Sequence, residues 1–192
     1  MLTTGSVASS FKEMRQRKND PGRERFLKMS VKILHGDITT IESDVIVNAA
    51  NSSLLGGGGV DGAIHKAAGA GLLFECMRLG GCKVGQAKMT KGYRMPCKYI
   101  IHTVGPKWKG GHSGEEELLR SCYRESIRLA IRYECKRITF PLISSGIYGY
   151  PKTEAIQVAL ETMEQEIQGT DIEAVLVLFD RETKELADSL RF

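Results

Sequence analysis

Apolar residues follow two rhythms along the chain. Short runs rich in β-branched residues recur: Val31-Lys32-Ile33-Leu34, Val45-Ile46-Val47, residues 98–104 (KYIIHTV), 137–143 (RITFPLI) and 173–179. Each is too short for a helix and reads as a strand inside a sheet. Longer segments with helical spacing lie between them. The clearest is 115–134, where Leu118, Leu119, Cys122, Tyr123, Ser126, Ile127, Ala130 and Tyr133 share one face. Glu115, Glu116 and Glu117 open this segment, and Arg128 and Arg132 lie near its end, as the helix dipole favours. Ile156, Ala159, Leu160, Met163 and Ile167 predict a second helix, stopped by Gly169. Leu72, Leu73, Cys76 and Leu79 predict a short one before Gly80-Gly81, and residues 87–90 a short strand. Asp180 can cap a last helix with Leu186, Ala187 and Leu190 inward. Strands alternating with helices predict an α/β/α sandwich, with ligands at the strand carboxyl ends.

The pattern breaks most sharply after Val45-Ile46-Val47. There the chain reads Asn48-Ala49-Ala50-Asn51, then runs through Gly56, Gly57, Gly58 and Gly59 into a helix expected to start near Asp61. A strand, a loop without side chains and a helix N-terminus together make a place for an anion, usually a phosphate. A flexible turn is the plainer reading of four glycines, but Asn51 and Asp61 flank this cluster. Residues 57–62 also satisfy G-x-G-x-x-G. Eight residues intervene between Val47 and Gly56, however, and Gly80-Gly81-Cys82 stands where a dinucleotide fold wants an acidic residue. A Rossmann dehydrogenase is therefore rejected, and no G-x-x-x-x-G-K-[ST] occurs. A second loop, Ser144-Ser145-Gly146-Ile147-Tyr148-Gly149-Tyr150-Pro151, follows the strand at 137–143. Asp37, Asn51, Tyr148 and Phe179 all fall at strand ends, which predicts one shared pocket. Two glycine loops suit a diphosphate between them, and the aromatics offer faces to a base or sugar.

Composition narrows the classes. The length of 192 residues suits one domain, and the 42% hydrophobic content with no long apolar run argues against a membrane span. No signal peptide is legible, so the cytoplasm is the expected compartment. Five Cys without a C-x-x-C argue against a disulfide framework or a zinc knuckle. The net charge of +4 sits in residues 1–28, which carry seven basic and three acidic residues; the rest is balanced. Nucleic-acid binding is accordingly not expected of the domain. Residues 1–28 are expected to be a basic extension, partly disordered or a docked helix, ahead of a domain at 29–192. His102, on an interior strand, is expected to be a hydrogen-bonded core residue.

The segments Gly36-Asp37-Ile38-Thr39, 48–69 (NAANSSLLGGGGVDGAIHKAAG), 92–106 (GYRMPCKYIIHTVGP) and 143–151 resemble the macro domain family, specifically its MacroD-type branch. The resemblance runs from about residue 31 to the end. It implies a mixed central sheet in the three-layer sandwich, with ADP-ribose bound in a cleft above it. By position, Asp37 holds the adenine amino group beside the Ile38 backbone, and Phe179 stacks on or edges the adenine. Ser144, Ser145, Gly146 and Ile147 wrap the diphosphate from one side; Gly58, Gly59 and Val60 wrap it from the other. Asn48 counts among the ligand-binding residues. Asn51 and Asp61 face the distal ribose as the catalytic pair, and Tyr148 covers it.

MacroD-type members remove ADP-ribose from acidic side chains and deacetylate O-acetyl-ADP-ribose, both ester hydrolyses at the distal ribose. Asp61 would position or deprotonate the water, a task that the substrate's own diphosphate could share; Asn51 would orient the ribose hydroxyls. The scheme requires no metal and no cofactor. The implied partners are ADP-ribose, ADP-ribosylated proteins and O-acetyl-ADP-ribose, with the chain expected as a monomer. A binding module without turnover is the alternative; the presence of both Asn51 and Asp61 favours the enzyme. The chain departs from the family at Gln86, where Glu is frequent, and at Ser145, where Thr is frequent. His65, one turn beyond Asp61, is expected to pack or support.

Overall fold

A computed structural model describes residues 31–190; the expected basic extension lies outside the described residues. Six strands form one sheet: β1 (Lys32–His35), β2 (Ser43–Ala49), β3 (Ala87–Lys91), β4 (Cys97–Thr103), β5 (Arg137–Pro141) and β6 (Glu173–Leu178). Their order is β1-β6-β5-β2-β4-β3. All neighbours are parallel except β3, which runs antiparallel to β4 at one edge. The sheet is therefore mixed. Five helices complete the fold: α1 (Gly59–Ala68), α2 (Ala70–Leu79), α3 (Glu115–Arg132), α4 (Lys152–Ile167) and α5 (Arg181–Ser189).

Period-2 alternation assigns each central strand two apolar faces, which is why these strands read as continuous hydrophobic runs. Val45, Val47 and Ile101 join the core beneath α3 and α4, with Leu119, Tyr123, Ile127, Ile156 and Met163. Ile46 and Ile100 join the opposite core with Ile64 and Ala68 of α1 and Leu72 and Cys76 of α2. Helices thus cover both faces, giving the three-layer α/β/α sandwich. No described helix is long and apolar enough to cross a membrane.

Three boundaries differ from expectation. The first helix starts at Gly59, with Gly58 as its N-cap, so Asp61 sits inside the first turn. Strand β5 ends at Pro141 instead of residue 143, because the Ile143 N–H donates to the Tyr123 hydroxyl (3.2 Å) and Ser144 turns to φ +65°. Tyr133 does not belong to the inward face of α3. The helix ends at Arg132, Glu134 turns to φ +55°, and Tyr133 stays 49% exposed with its ring edge-on to Tyr99.

Candidate functional site

The carboxyl ends of β1, β2, β5 and β6 open into a cleft of about 880 Å3. The chain after β1 contributes Asp37 and Ile38, and the loop between β2 and α1 contributes Asn51 and Gly57 to Asp61. The loop after β5 supplies Ser144 to Tyr148, and Phe179 follows β6. All the sequence-predicted site residues except Asn48 come together here.

Asp61 is the most constrained of them. It is 4% exposed, yet it lines the cleft. Its Oδ1 accepts from Asn48 Nδ2 at 2.8 Å and its Oδ2 from Asn51 Nδ2 at 3.3 Å, while His65 Nε2 stands 3.6 Å from Oδ1. Burial pushes its carboxyl pKa upward, opposed by Asn48, then by the nearby His65 and by Asn51. The first turn of α1 favours the ionised form as well. Asn51 also binds its own loop: Nδ2 donates to Gly56 O (2.7 Å), and Oδ1 accepts from the Ser53 N–H (2.9 Å) and the Ser53 hydroxyl (2.6 Å).

The glycines have definite neighbours. A Cβ on Gly57 would lie 3.1 Å from both Asn51 Nδ2 and Asp61 Oδ2, and one on Gly58 would lie 3.0 Å from Ile147 Cδ1. The two loops therefore meet across the cleft through Ile147, which is otherwise 80% exposed. A Cβ on Gly146 would meet nothing within 4 Å. Ser144 is buried at φ +65° with an unpartnered hydroxyl, a locally strained residue of the kind that clusters at ligand sites.

The charge pattern indicates how an anion could be held. Among the described lining residues Lys152 is the one cation, and it is paired with Asp180 at 3.4 Å; Asp37 and Asp61 are acidic. No backbone N–H from Ser145 to Tyr148 donates to another protein group among the described residues. The first-turn N–H groups of α1 are likewise unused by the helix. An anion here would be bound by amide dipoles instead of side-chain cations. At the other end, Asp37 uses Oδ1 to accept from the Thr39 N–H (2.9 Å) and hydroxyl (2.8 Å). This leaves Oδ2 as acceptor capacity for an amino group. Phe179 is 78% exposed and so offers an open ring face. Burial pushes the Tyr148 hydroxyl pKa upward, and the Asp61 charge adds to this.

Asn48 does not line the cleft. It is fully buried behind Asp61, between that carboxylate and His102 Nδ1 (3.1 Å). The reason is parity: Ile46, Asn48 and Ala50 alternate onto the same face of β2, under α1. Lys152, Asp180 and Thr183 line the cleft without a sequence signal to mark them. His65 beside Asp61 could be foreseen from the i,i+4 spacing. Among the described residues one cluster has metal-ligating donors, His65, Cys76 and His102, within 4.8 Å of one another. Of these donors His65 Nε2 has no hydrogen-bond partner and stands 3.6 Å from Asp61 Oδ1, while Cys76 Sγ lies 3.7 Å from His102 Nε2. His102 Nε2 is hydrogen-bonded to Thr90 Oγ1, and burial pushes the Cys76 thiol up to about 11.

Fold and site together define an α/β domain with an amide-lined cleft at its strand ends, and comparisons with known proteins place it further. The chain belongs to the macro domain family, whose model matches residues 47–159. It is 53% identical to a macro domain-containing protein of Mesorhizobium japonicum, over 81% of this chain and 90% of that protein. It is 46% identical to the O-acetyl-ADP-ribose deacetylase of Citrobacter rodentium, over 83% of this chain and 94% of the enzyme. The Trypanosoma brucei macrodomain solved in complex with ADP-ribose superposes with a TM-score of 0.80 at 36% identity, covering 85% of this chain and 70% of that one.

Proposed function

We propose that the chain binds ADP-ribose in this cleft and hydrolyses esters at its distal ribose, both those linking it to acidic protein side chains and O-acetyl-ADP-ribose. The observation that carries this reading is the Asn51–Asp61 pair, in contact at 3.3 Å at the junction of the glycine loop and α1. The ADP-ribose complex of the Trypanosoma brucei relative supports the ligand, and the name of the Citrobacter rodentium relative supports the chemistry.

In this reading the adenine amino group donates to Asp37 Oδ2 and the base lies against Phe179. The diphosphate accepts from the amides of the loop after β5 and of the first turn of α1. The distal ribose lies against Asn51, Asp61 and Tyr148. Asp61, or the substrate's diphosphate beside it, draws a proton from a water that adds to the ester carbonyl. The tetrahedral oxyanion collapses by breaking the bond between acyl carbon and ribose oxygen, and that oxygen takes a proton. One water is consumed, and a carboxylic acid and a ribose hydroxyl leave. Asn51 orients the hydroxyls, so that proximity and polar pre-organisation carry the rate.

The test is incubation with a protein carrying labelled mono-ADP-ribose on glutamate. Label release by the parent and its loss in Asp61→Ala support the hydrolase. Tight ADP-ribose binding without release would make the chain a binding module.

A further inference from the structure

Behind Asp61, on the side away from the cleft, three polar side chains are buried in a row. Asn48 and His102 are 0% exposed and Thr90 is 2% exposed. The sheet places them: Asn48 of β2 is directly opposite His102 of β4, and Thr90 sits on the neighbouring edge strand β3. Asn48 Nδ2 lies 2.8 Å from Asp61 Oδ1 and 3.1 Å from His102 Nδ1, and His102 Nε2 lies 3.0 Å from Thr90 Oγ1.

The protons in this row can be assigned. Burial, and secondarily His65, hold His102 neutral with a pKa of about 3, so one ring nitrogen carries the hydrogen and the other accepts. Asn48 Nδ2 is a donor, which makes His102 Nδ1 the acceptor and leaves Nε2–H to donate to Thr90 Oγ1. The Thr90 hydroxyl then donates onward to the Lys91 carbonyl at 3.2 Å. The reverse orientation of the amide would set Asn48 Oδ1 against the Asp61 carboxylate.

Asn48 Oδ1 itself has no hydrogen-bond partner. Nothing on that side holds the amide in place; its orientation rests on the two acceptors of its NH2 group. A buried polar row of this kind costs more than an apolar filling of equal volume unless every direction of donation is fixed.

We propose that Thr90 and His102 are positioning residues for the ester hydrolysis, acting through Asn48 to fix the hydrogen bond that Asn48 donates to Asp61. This rests on the reading of Asp61 as the carboxylate of the reaction. Thr90, its hydroxyl turned to the Lys91 carbonyl, accepts from His102 Nε2–H and so supports the tautomer whose Nδ1 accepts the second Asn48 hydrogen. The first is thereby aimed at Asp61 Oδ1, leaving Oδ2 toward Asn51 and the cleft.

A pH signature follows. The titratable groups around Asp61 are His65 on its own helix, Cys76 on α2, His102 on β4 through Asn48, and Tyr148 from the loop after β5. Burial raises the Asp61 pKa and the Asn48 bond lowers it. Losing that bond raises the pKa further, so the carboxylate is lost at a higher pH and the acid limb of kcat moves up.

The experiment compares His102→Gln, His102→Asn and Thr90→Val with the full-length parent. A glutamine amide reaches the Nε2 position and keeps a partner for Thr90, but leaves the second Asn48 hydrogen without an acceptor. An asparagine carbonyl stands near the Nδ1 position and restores that acceptor. His102→Gln is expected to lose about ten- to hundredfold in kcat, the range for groups that orient a functional side chain. Its KM should stay within about threefold, because ground-state contacts are untouched. Its acid limb moves to higher pH, as does the titration of the Asp61 carboxyl followed by 13C NMR in the ligand-free protein. Thr90→Val moves the same quantities less, and His102→Asn returns kcat to within about threefold of the parent. Equal losses in His102→Gln and His102→Asn, or an Asp61 titration unmoved in His102→Gln and Thr90→Val, would overturn the proposal. If the histidine variants fail to fold, Thr90→Val decides by the same titration. If the parent hydrolyses no ester, the functional reading falls, and the carboxyl titration still decides whether the row controls Asp61.

Discussion

The loop between β2 and α1 is tied down by a network of side chains, whereas the loop after β5 is held mainly by backbone bonds, with Ser145 Oγ donating to Leu142 O (3.0 Å). In the first, Asn51 reaches Ser53, Gly56 and Asp61, and Asn48 holds Asp61 from behind. In the second, Gly149 N–H donates to Gly146 O (2.9 Å) and Tyr150 N–H to Ser144 O (3.0 Å), while Gly146 and Ile147 stand open to solvent. A water and an ester must be held to a fraction of an ångström, and side-chain networks do that. A diphosphate needs many donors on a surface able to close over it, and a backbone loop provides those. On the proposed function the two walls divide the labour into chemistry and capture, and substitutions should separate the two.

Asp61→Ala strikes the fixed wall and should have the largest effect. Hydrolysis of glutamate-linked ADP-ribose should fall about a hundred- to ten-thousandfold, the usual worth of a positioned acid or base. ADP-ribose affinity by calorimetry should stay within roughly tenfold, because on the proposed function the carboxylate acts in the transition state. Hydrolysis at the parent rate would remove chemistry from this wall.

Gly146→Glu strikes the open wall. The fold has room, since a Cβ at Gly146 meets nothing within 4 Å and the melting temperature should persist. The carboxylate then stands where the diphosphate is proposed to lie. Affinity for ADP-ribose should fall about a hundredfold, roughly 2.7 kcal/mol. Unchanged affinity would put the diphosphate elsewhere.

The same division explains what the sequence made legible. The layers could be read because the central strands carry apolar residues on both parities, as at Val45, Ile46 and Val47, and α3 keeps one face at helical spacing. The cleft could be read because glycines, carboxamides and aromatics cluster after strands. Asn48 was assigned to the wrong side: its motif suggested ligand contact, while its parity with Ile46 and Ala50 turns it into the core. The partnership of Thr90 with His102 could not be read at all. It depends on an antiparallel edge strand whose register is set by long-range pairing, and no local pattern encodes that.

The smallest effects test the comparison most finely, because they change one methyl group in adjacent residues. Both Gly57 and Gly58 have backbone angles open to any residue, so strain does not enter. At Gly57 the new Cβ sits 3.1 Å from Asn51 Nδ2 and from Asp61 Oδ2. Asn51 is anchored to Gly56 and Ser53 and Asp61 to Asn48, so neither yields without displacing the pair. Gly57→Ala should therefore lower kcat about tenfold, as displacements of tenths of an ångström at a reacting pair do. At Gly58 the clash, at 3.0 Å, is with Ile147 Cδ1, the tip of a side chain that is 80% exposed. That tip turns into solvent at little cost, so Gly58→Ala should leave kcat within about twofold and weaken ADP-ribose binding by less than about 1 kcal/mol. Steady-state kinetics and calorimetry on the two variants give the contrast directly. Equal losses in kcat would mean that the loop after β5 is as rigid as the loop it faces.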